Sequence, residues 1–316
     1  GSSVARLPVP VSARRPRWMA LLASLSLGLS LVPAAVPAAR AEGVLDRVAR
    51  SGKLQLLGPA DQPPLLSLNA QGQPQGYAVL VADRVAALLS QAVGRPVQLS
   101  FQSVLDPAQL AQRLGSGQAD LACGVMFTWA RENLLDFTLP IGVSGLRLLA
   151  PVGRFTGAPE ALAGRRIGVL AGSLAEGELR GMQPAATAVP FADLPAALSA
   201  LSAGQVEGVI GDSAMLAGLV QQRGLRGLAL TPEQPYERYA VSCVVPENDS
   251  AYRDLVNRAI AQLMQAYVDG EPQTVAAVDR WLGPGSALNL PQERIRGVFD
   301  GLLMGVEALR PLPAGQ

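Results

Sequence analysis

Leu114-Gly-Ser-Gly-Gln-Ala-Asp-Leu-Ala-Cys-Gly124 and Leu201-Ser-Ala-Gly-Gln-Val-Glu-Gly-Val-Ile-Gly211 follow one plan. Each reads as the last turn of a helix stopped by glycine, then a polar turn, an acidic residue, and a short apolar strand closed by a second glycine. The shared Gly-Gln pairs stand 87 positions apart, Gly117 against Gly204. A spacing near half of a two-domain protein predicts two lobes built alike.

Upstream of the first copy, Gly43 to Arg50 has the spacing of a short amphipathic helix, and Lys53 to Leu57 reads as a strand. A loop rich in proline and glycine runs through Gln62-Pro63-Pro64 to Gly76, before a helix from Val79 to Ala92 and a strand from Val97 to Phe101. Strand, helix, strand is the signature of a parallel α/β layer, so the fold class is α/β, each lobe a central sheet flanked by helices. Between the copies the chain runs through Gly145-Leu-Arg-Leu-Leu-Ala-Pro151, and after the second it returns through Tyr239-Ala-Val-Ser-Cys-Val-Val-Pro246. Two extended crossings between similar lobes describe a hinge. Ligands in such lobes bind beyond the carboxyl ends of the strands, so two facing clefts make one closable site. The tail adds a helix from Asp249 to Tyr267, another ending at Trp281-Leu282-Gly283, and a last amphipathic helix after Pro291. Its apolar face carries Ile295, Val298, Phe299, Leu302 and Val306.

The chain of 316 residues exceeds what one core organises, in keeping with two lobes. With 49% hydrophobic and 16% charged residues it reads as folded rather than disordered, while 4% aromatics leave few rings to stack on a ligand. There is no histidine, which excludes histidine acid-base catalysis, Ser-His triads and the commonest zinc sites. No cofactor is implied.

Arg14, Arg15 and Arg17 precede an apolar run from Met19 to Val32 and the small-residue end Ala39-Arg40-Ala41, the layout of a cleavable signal peptide over residues 1–41. The run is too short for a membrane span of about 20 residues. Cleavage would remove five arginines and no acid, leaving 21 of the 26 basic residues against 25 acids, a net charge of −4. That sign argues against nucleic-acid binding. The mature chain is expected to be periplasmic or secreted, not membrane-embedded, and monomeric. Its export permits a disulfide between the only cysteines, Cys123 and Cys243, without deciding it.

Taken in order, several segments resemble the family 3 extracellular solute-binding proteins, the periplasmic receptors for amino acids with a two-lobed type II fold. They are Leu45-Asp-Arg-Val with Ser51-Gly-Lys-Leu, Asp61-Gln-Pro-Pro with Gly72-Gln-Pro-Gln-Gly-Tyr77, and Gly124-Val-Met-Phe-Thr-Trp-Ala-Arg131. Leu135-Asp-Phe-Thr-Leu-Pro140 and Leu162-Ala-Gly-Arg-Arg-Ile-Gly-Val-Leu-Ala-Gly-Ser173 follow. The resemblance implies a first lobe over residues 42–150 and 238–285, a second lobe over 151–237, and a C-terminal helical extension over 286–316.

A zwitterion in a closing cleft loses its water, so each charge needs a partner. The resemblance places Arg131 on the ligand carboxylate, which a guanidinium grips with two parallel N–H bonds. It places Asp212 on the ammonium, although Asp212 also reads as a helix N-cap; Ser173 likewise reads as a cap or as a ligand contact at a helix start. Thr128 and the backbone of Gly124 would complete the first-lobe wall. Gln62 and Leu65 stand where family members carry rings, and Met126 where they carry a threonine, which implies a small or aliphatic ligand, weak affinity, or no ligand. The returning segment of this family inserts beside the strand of Cys123, which places Cys243 on the neighbouring strand.

The function so implied is capture of a small amino acid or related carboxylate for an ABC-type permease or a sensor. The tail beyond Gly283 and the words Phe-Thr-Trp-Ala-Arg also resemble GrrP, a cyanobacterial orphan subgroup found beside a glycine-rich peptide system. That likeness implies a partner protein with no transport role. An enzyme like cyclohexadienyl dehydratase shares the fold, but its elimination chemistry needs an acid or base, for which the sequence offers only Asp212 and Glu132.

Overall fold

The computed structural model describes residues 42–126 and 135–308. Residues 1–41, expected from the sequence to be a signal peptide, lie outside the described residues, as do Thr128, Arg131 and the Met126 side chain.

The first half opens with α1 (Val44–Ser51) and β1 (Lys53–Gly58), followed by a small antiparallel sheet of β2 (Asp61–Gln62), β3 (Leu66–Leu68) and β4 (Pro74–Gln75). It continues through α2 (Tyr77–Val93), β5 (Gln98–Ser103), α3 (Pro107–Gly115) and β6 (Leu121–Met126). β7 (Asp136–Pro151) is the crossing strand. The second half repeats the order with β8 (Arg166–Leu170), α4 (Leu174–Met182), β9 (Thr187–Phe191), α5 (Leu194–Ser202) and β10 (Gly208–Asp212). Then come α6 (Ser213–Gln222), β11 (Leu228–Thr231) and the returning β12 (Glu237–Val245), before α7 (Ser250–Val268), α8 (Pro272–Leu282) and α9 (Gln292–Ala308).

Both halves use one topology. β1 pairs in parallel with β5 on one side and β6 on the other, and β8 does the same with β9 and β10. Each is therefore a β-α-β-α-β unit with its first strand in the middle, the arrangement that parallel crossovers produce. β7 and β12 run antiparallel to each other and weld the units into one continuous sheet, β6 bonding to β12 and β10 to β7.

The two quoted segments form the same turn. Gln118 N–H donates to the Arg113 carbonyl at 3.0 Å, and Gln205 N–H to the Ala200 carbonyl at 2.9 Å. Gly117 and Gly204 lie between them at φ 79° and 71°, the left-handed conformation that ends a helix and that glycine adopts without penalty.

Side-chain caps start the later helices: Asp106 on Ala108 N–H, Asp193 on Ala196 N–H, and Asp249 on Tyr252 N–H. Asp249 accepts Val44 N–H with its other oxygen at 2.9 Å, tying the start of the described chain to the return segment. Asp120, buried at the start of β6, takes Arg47 at 2.7 Å and Gln55 N–H at 2.8 Å. Burial nonetheless lifts its pKa above the ordinary carboxylate value, so the pair orients β1 and α1 more than it stabilises them.

The first-lobe core holds Leu54, Leu56, Tyr77, Tyr252 and Tyr267, and α9 adds Ile295 and Phe299 to it. In the second lobe α5 and α6 cover one face around Leu149, Val209 and Leu216, and α4 covers the other around Leu148, Ile167 and Ile210. No described helix is long and apolar enough to cross a membrane.

Candidate functional site

Where the sheet passes from one unit to the other lies a cavity of about 620 Å³. Pro64, Leu65 and Gly124 line it from the first unit, Ser173, Asp212 and Met215 from the second, and β7 and β12 from the crossing. Ser173 and Asp212 follow the carboxyl ends of parallel strands, where α/β sheets place their ligands.

Leu65 is held by its own loop. Its carbonyl and that of Pro64 accept the Ala78 and Tyr77 N–H groups, so the loop caps α2 and carries the Leu65 side chain into the cavity. Gly124 is the extra residue of a β-bulge, because Ser242 pairs with Val125 and Cys243 with Cys123. It sits at φ 88°, and a Cβ there would come within 3.2 Å of Leu65 Cδ1. Gln62 pairs with Leu66 in the small sheet and is absent from the lining. The Met126 backbone pairs with Val241.

Ser173 caps α4: its hydroxyl donates to the Leu170 carbonyl at 2.6 Å and accepts Glu176 N–H at 3.4 Å. Asp212 does two jobs. One oxygen caps α6 by accepting Met215 N–H at 3.0 Å, and the other accepts the phenol of Tyr239 from β12. Burial first, and then the negative charge of Asp212, push the Tyr239 phenol well above its ordinary pKa, so it stays protonated and keeps donating. Both alternatives for Asp212 thus bear on one carboxyl whose two oxygens are engaged inside the protein.

Three further residues shape the cavity and escaped the sequence reading. Tyr239 bridges the crossing to the second lobe. Arg147 on β7 donates from Nε to the Pro232 carbonyl at 2.6 Å and from Nη2 to the Leu230 carbonyl at 2.8 Å. Arg294, at the start of α9, lines the same cavity. Arg147 carried a signal, since it is the one charge inside the apolar run Gly145 to Pro151. Its pKa is lowered by burial first and then by the positive charge of Arg294. Nearby, burial pushes the Tyr236 phenol up to about 12, and it donates to the Gly157 carbonyl at 2.6 Å.

Cys123 and Cys243 face each other across β6 and β12 and are joined as a disulfide next to the Gly124 bulge. Among the described residues no cluster of acids or cysteines is placed to hold a metal ion. The site is a partly enclosed, largely apolar chamber, suited to hold a solute by enclosure and a few polar contacts.

Solved structures share this architecture. A mutant of the arginine-binding protein of T. maritima superimposes with TM-score 0.61 at 19% identity, over 75% of this chain and 98% of that one. An ancestral arginine-binding protein bound to glutamine gives 0.61 at 22% identity, over 73% and 98%. An ancestral amino acid-binding protein described as a precursor of cyclohexadienyl dehydratase gives 0.63 at 18%, over 77% and 100%. At such identities the likeness is one of fold. A comparison of the sequence with curated proteins finds no match. The family model of the bacterial extracellular solute-binding proteins, family 3, matches residues 54–283, and the chain belongs to that family.

Proposed function

We propose that this protein works outside the cytoplasmic membrane as a solute receptor. It would capture an amino acid or a related carboxylate between its lobes and present the closed form to an ABC-type permease or a sensor. One observation carries this reading: the cavity of about 620 Å³ draws its walls from both β-α-β-α-β units and from the two strands that join them. A solute that touches both units stabilises their approach, which is how hinged receptors report occupancy. In this reading residues 42–150 and 238–285 move as one body, residues 151–237 as the other, and residues 1–41 direct export. The family resemblance gives the carboxylate to Arg131, and Arg147, Arg238 and Arg294 are the described cations of the lining that could take it instead. Binding rather than turnover fits a cavity whose described acids are Asp212, engaged on both oxygens, and the exposed Glu233.

The test is a calorimetric and thermal-shift screen of the mature protein against amino acids and small and apolar carboxylates, with Arg131→Ala alongside. Saturable binding supports the reading, and a loss of about tenfold or more in Arg131→Ala would assign the carboxylate to Arg131. Silence across the whole panel overturns it. The internal satisfaction of Asp212 favours a second reading, a partner protein that has kept the fold without a transported ligand. Capture of a secreted peptide from the same cells, with no response to any small solute, would select that reading.

A further inference from the structure

The family match ends at Gly283, yet the chain does not stop contributing to the cavity there. Leu288, Leu290, Ile295, Val298 and Phe299 line it, together with Arg294. This wall is built in advance of any ligand. Ile295 and Phe299 are buried in the first-lobe core, the Phe299 ring meets Tyr267 edge-on at 5.4 Å, and Gln292 Nε2 donates to Asp279 at 2.6 Å. Beside these buried anchors Leu288, Leu290 and Val298 keep part of their surface open, and that surface suits an apolar solute.

The charges around the cavity point the same way. Among the described lining residues the acids are Asp212 and Glu233, and the bases are Arg147, Arg238 and Arg294. Asp212 already accepts one hydrogen bond on each oxygen, from Met215 N–H and from Tyr239, so an incoming ammonium would share a carboxylate that is already partly satisfied. Arg147 uses only Nε and one hydrogen of Nη2 on carbonyls, which leaves its Nη1 hydrogens for a ligand. Neither Arg147 nor Arg294 forms a salt bridge among the described residues. Three arginines against two acids leave the described lining with an excess of positive charge. Of the small or aliphatic ligands that the missing rings imply, a volume of about 620 Å³ suits an extended aliphatic one, in the range of about 300–1,000 Å³ typical of pockets for drug-sized ligands.

We propose that the cavity takes a carboxylate with a long apolar body and no ammonium group, the carboxylate meeting Arg147 and Arg294 and the body lying along α9. The proposal rests on the reading that this cavity is the solute site. It assigns the specificity of the receptor to the helix that follows the family domain.

Calorimetry on the full mature protein, at low salt, decides it with four probes: hexanoate, octanoate, 2-aminooctanoate and alanine. Octanoate is expected to bind most tightly, with a gain of about fourfold for each methylene beyond hexanoate. The matched 2-aminooctanoate should bind more weakly than octanoate. Arg294→Gln, at an exposed position, should weaken octanoate about tenfold, and Leu288→Gln should flatten the dependence on chain length. Tighter binding of 2-aminooctanoate or alanine than of octanoate would show that an ammonium is read, and would overturn the inference while leaving the receptor reading intact. Octanoate binding that is equal in wild type and Arg294→Gln would also overturn it. No binding of any of these or of the wider panel removes both.

Discussion

Asp212 shows how much one carboxyl can be asked to do. A carboxylate at a helix start gains from the N–H groups and the dipole there, and a second, protonated donor on its free oxygen removes the remaining need for a partner. Tyr239 is that donor, and nothing near Asp212 in sequence announces it. The phenol arrives 27 residues later, brought by the pairing of Tyr239 with Ser144 and of Leu146 with Asp212 across three strands. The cap was legible because strand, acid, helix is a local pattern; the phenol was not, because strand register is a tertiary fact. Tyr239→Phe should therefore leave a partly buried oxygen unsatisfied and cost about 1–2 kcal/mol in urea unfolding. The same variant should raise the affinity for 2-aminooctanoate relative to octanoate, because Asp212 regains an oxygen for an ammonium. A calorimetric ratio equal to that of the wild type would mean that Asp212 does not face the solute.

At the scale of elements, the paired turns at Gly117 and Gly204 were readable because helix ends and strand starts are set by local chemistry: a glycine that turns left-handed, and a buried strand a few residues on. The contact between α6 and the β2–β3 loop was not readable. Gly218 on α6 lies so close to the Pro63 carbonyl that a Cβ would collide with backbone rather than with a side chain that could swing away. Gly218→Ala improves helix propensity by about 1 kcal/mol yet opposes this approach by about 1–3 kcal/mol. The expected outcome is unchanged helix content, a larger radius of gyration in solution scattering, and weaker solute binding. A variant as compact as wild type would place closure elsewhere. The last helix was legible in its apolar spacing, but a stripe does not say what it covers. The structure answers that α9 covers α7 and the cavity at once. Phe299→Ala should cost about 3 kcal/mol by chemical denaturation and lower octanoate affinity. A stability loss with unaltered affinity would separate the wall from the core.

For the whole molecule, the question is which parts of a continuous sheet can move. β12 runs beside β7 along its length; its start lies opposite Leu146, which also pairs with β10, and it pairs with β6 only from Val241 to Val244, so its two ends answer to different units. The disulfide settles one end: Cys243 cannot leave Cys123, and any closing motion is confined to the stretch of β12 before it and to β7 beyond its hydrogen bond from Tyr77 to Ile141. Two cysteines in a chain expected to be exported made a bridge possible from sequence, whereas their meeting depends on antiparallel insertion of a segment 120 residues away. Because the bridge spans so long a loop, and joins strands already paired in one lobe, it should act on the unfolded chain more than on closure. Replacing both cysteines by alanine is expected to lower unfolding free energy by about 3 kcal/mol and to steepen the denaturant dependence as the unfolded chain expands. Solute affinity should stay as in wild type, since both cysteines are buried, neither lines the cavity, and the stretch of β12 before Cys243 is untouched. Reductant should reproduce the variant, checked by a mass gain of two hydrogens. If reduction abolished binding while the fold persisted, the bridge would instead be setting the position of the Gly124 bulge, and the hinge would have to include β6 itself.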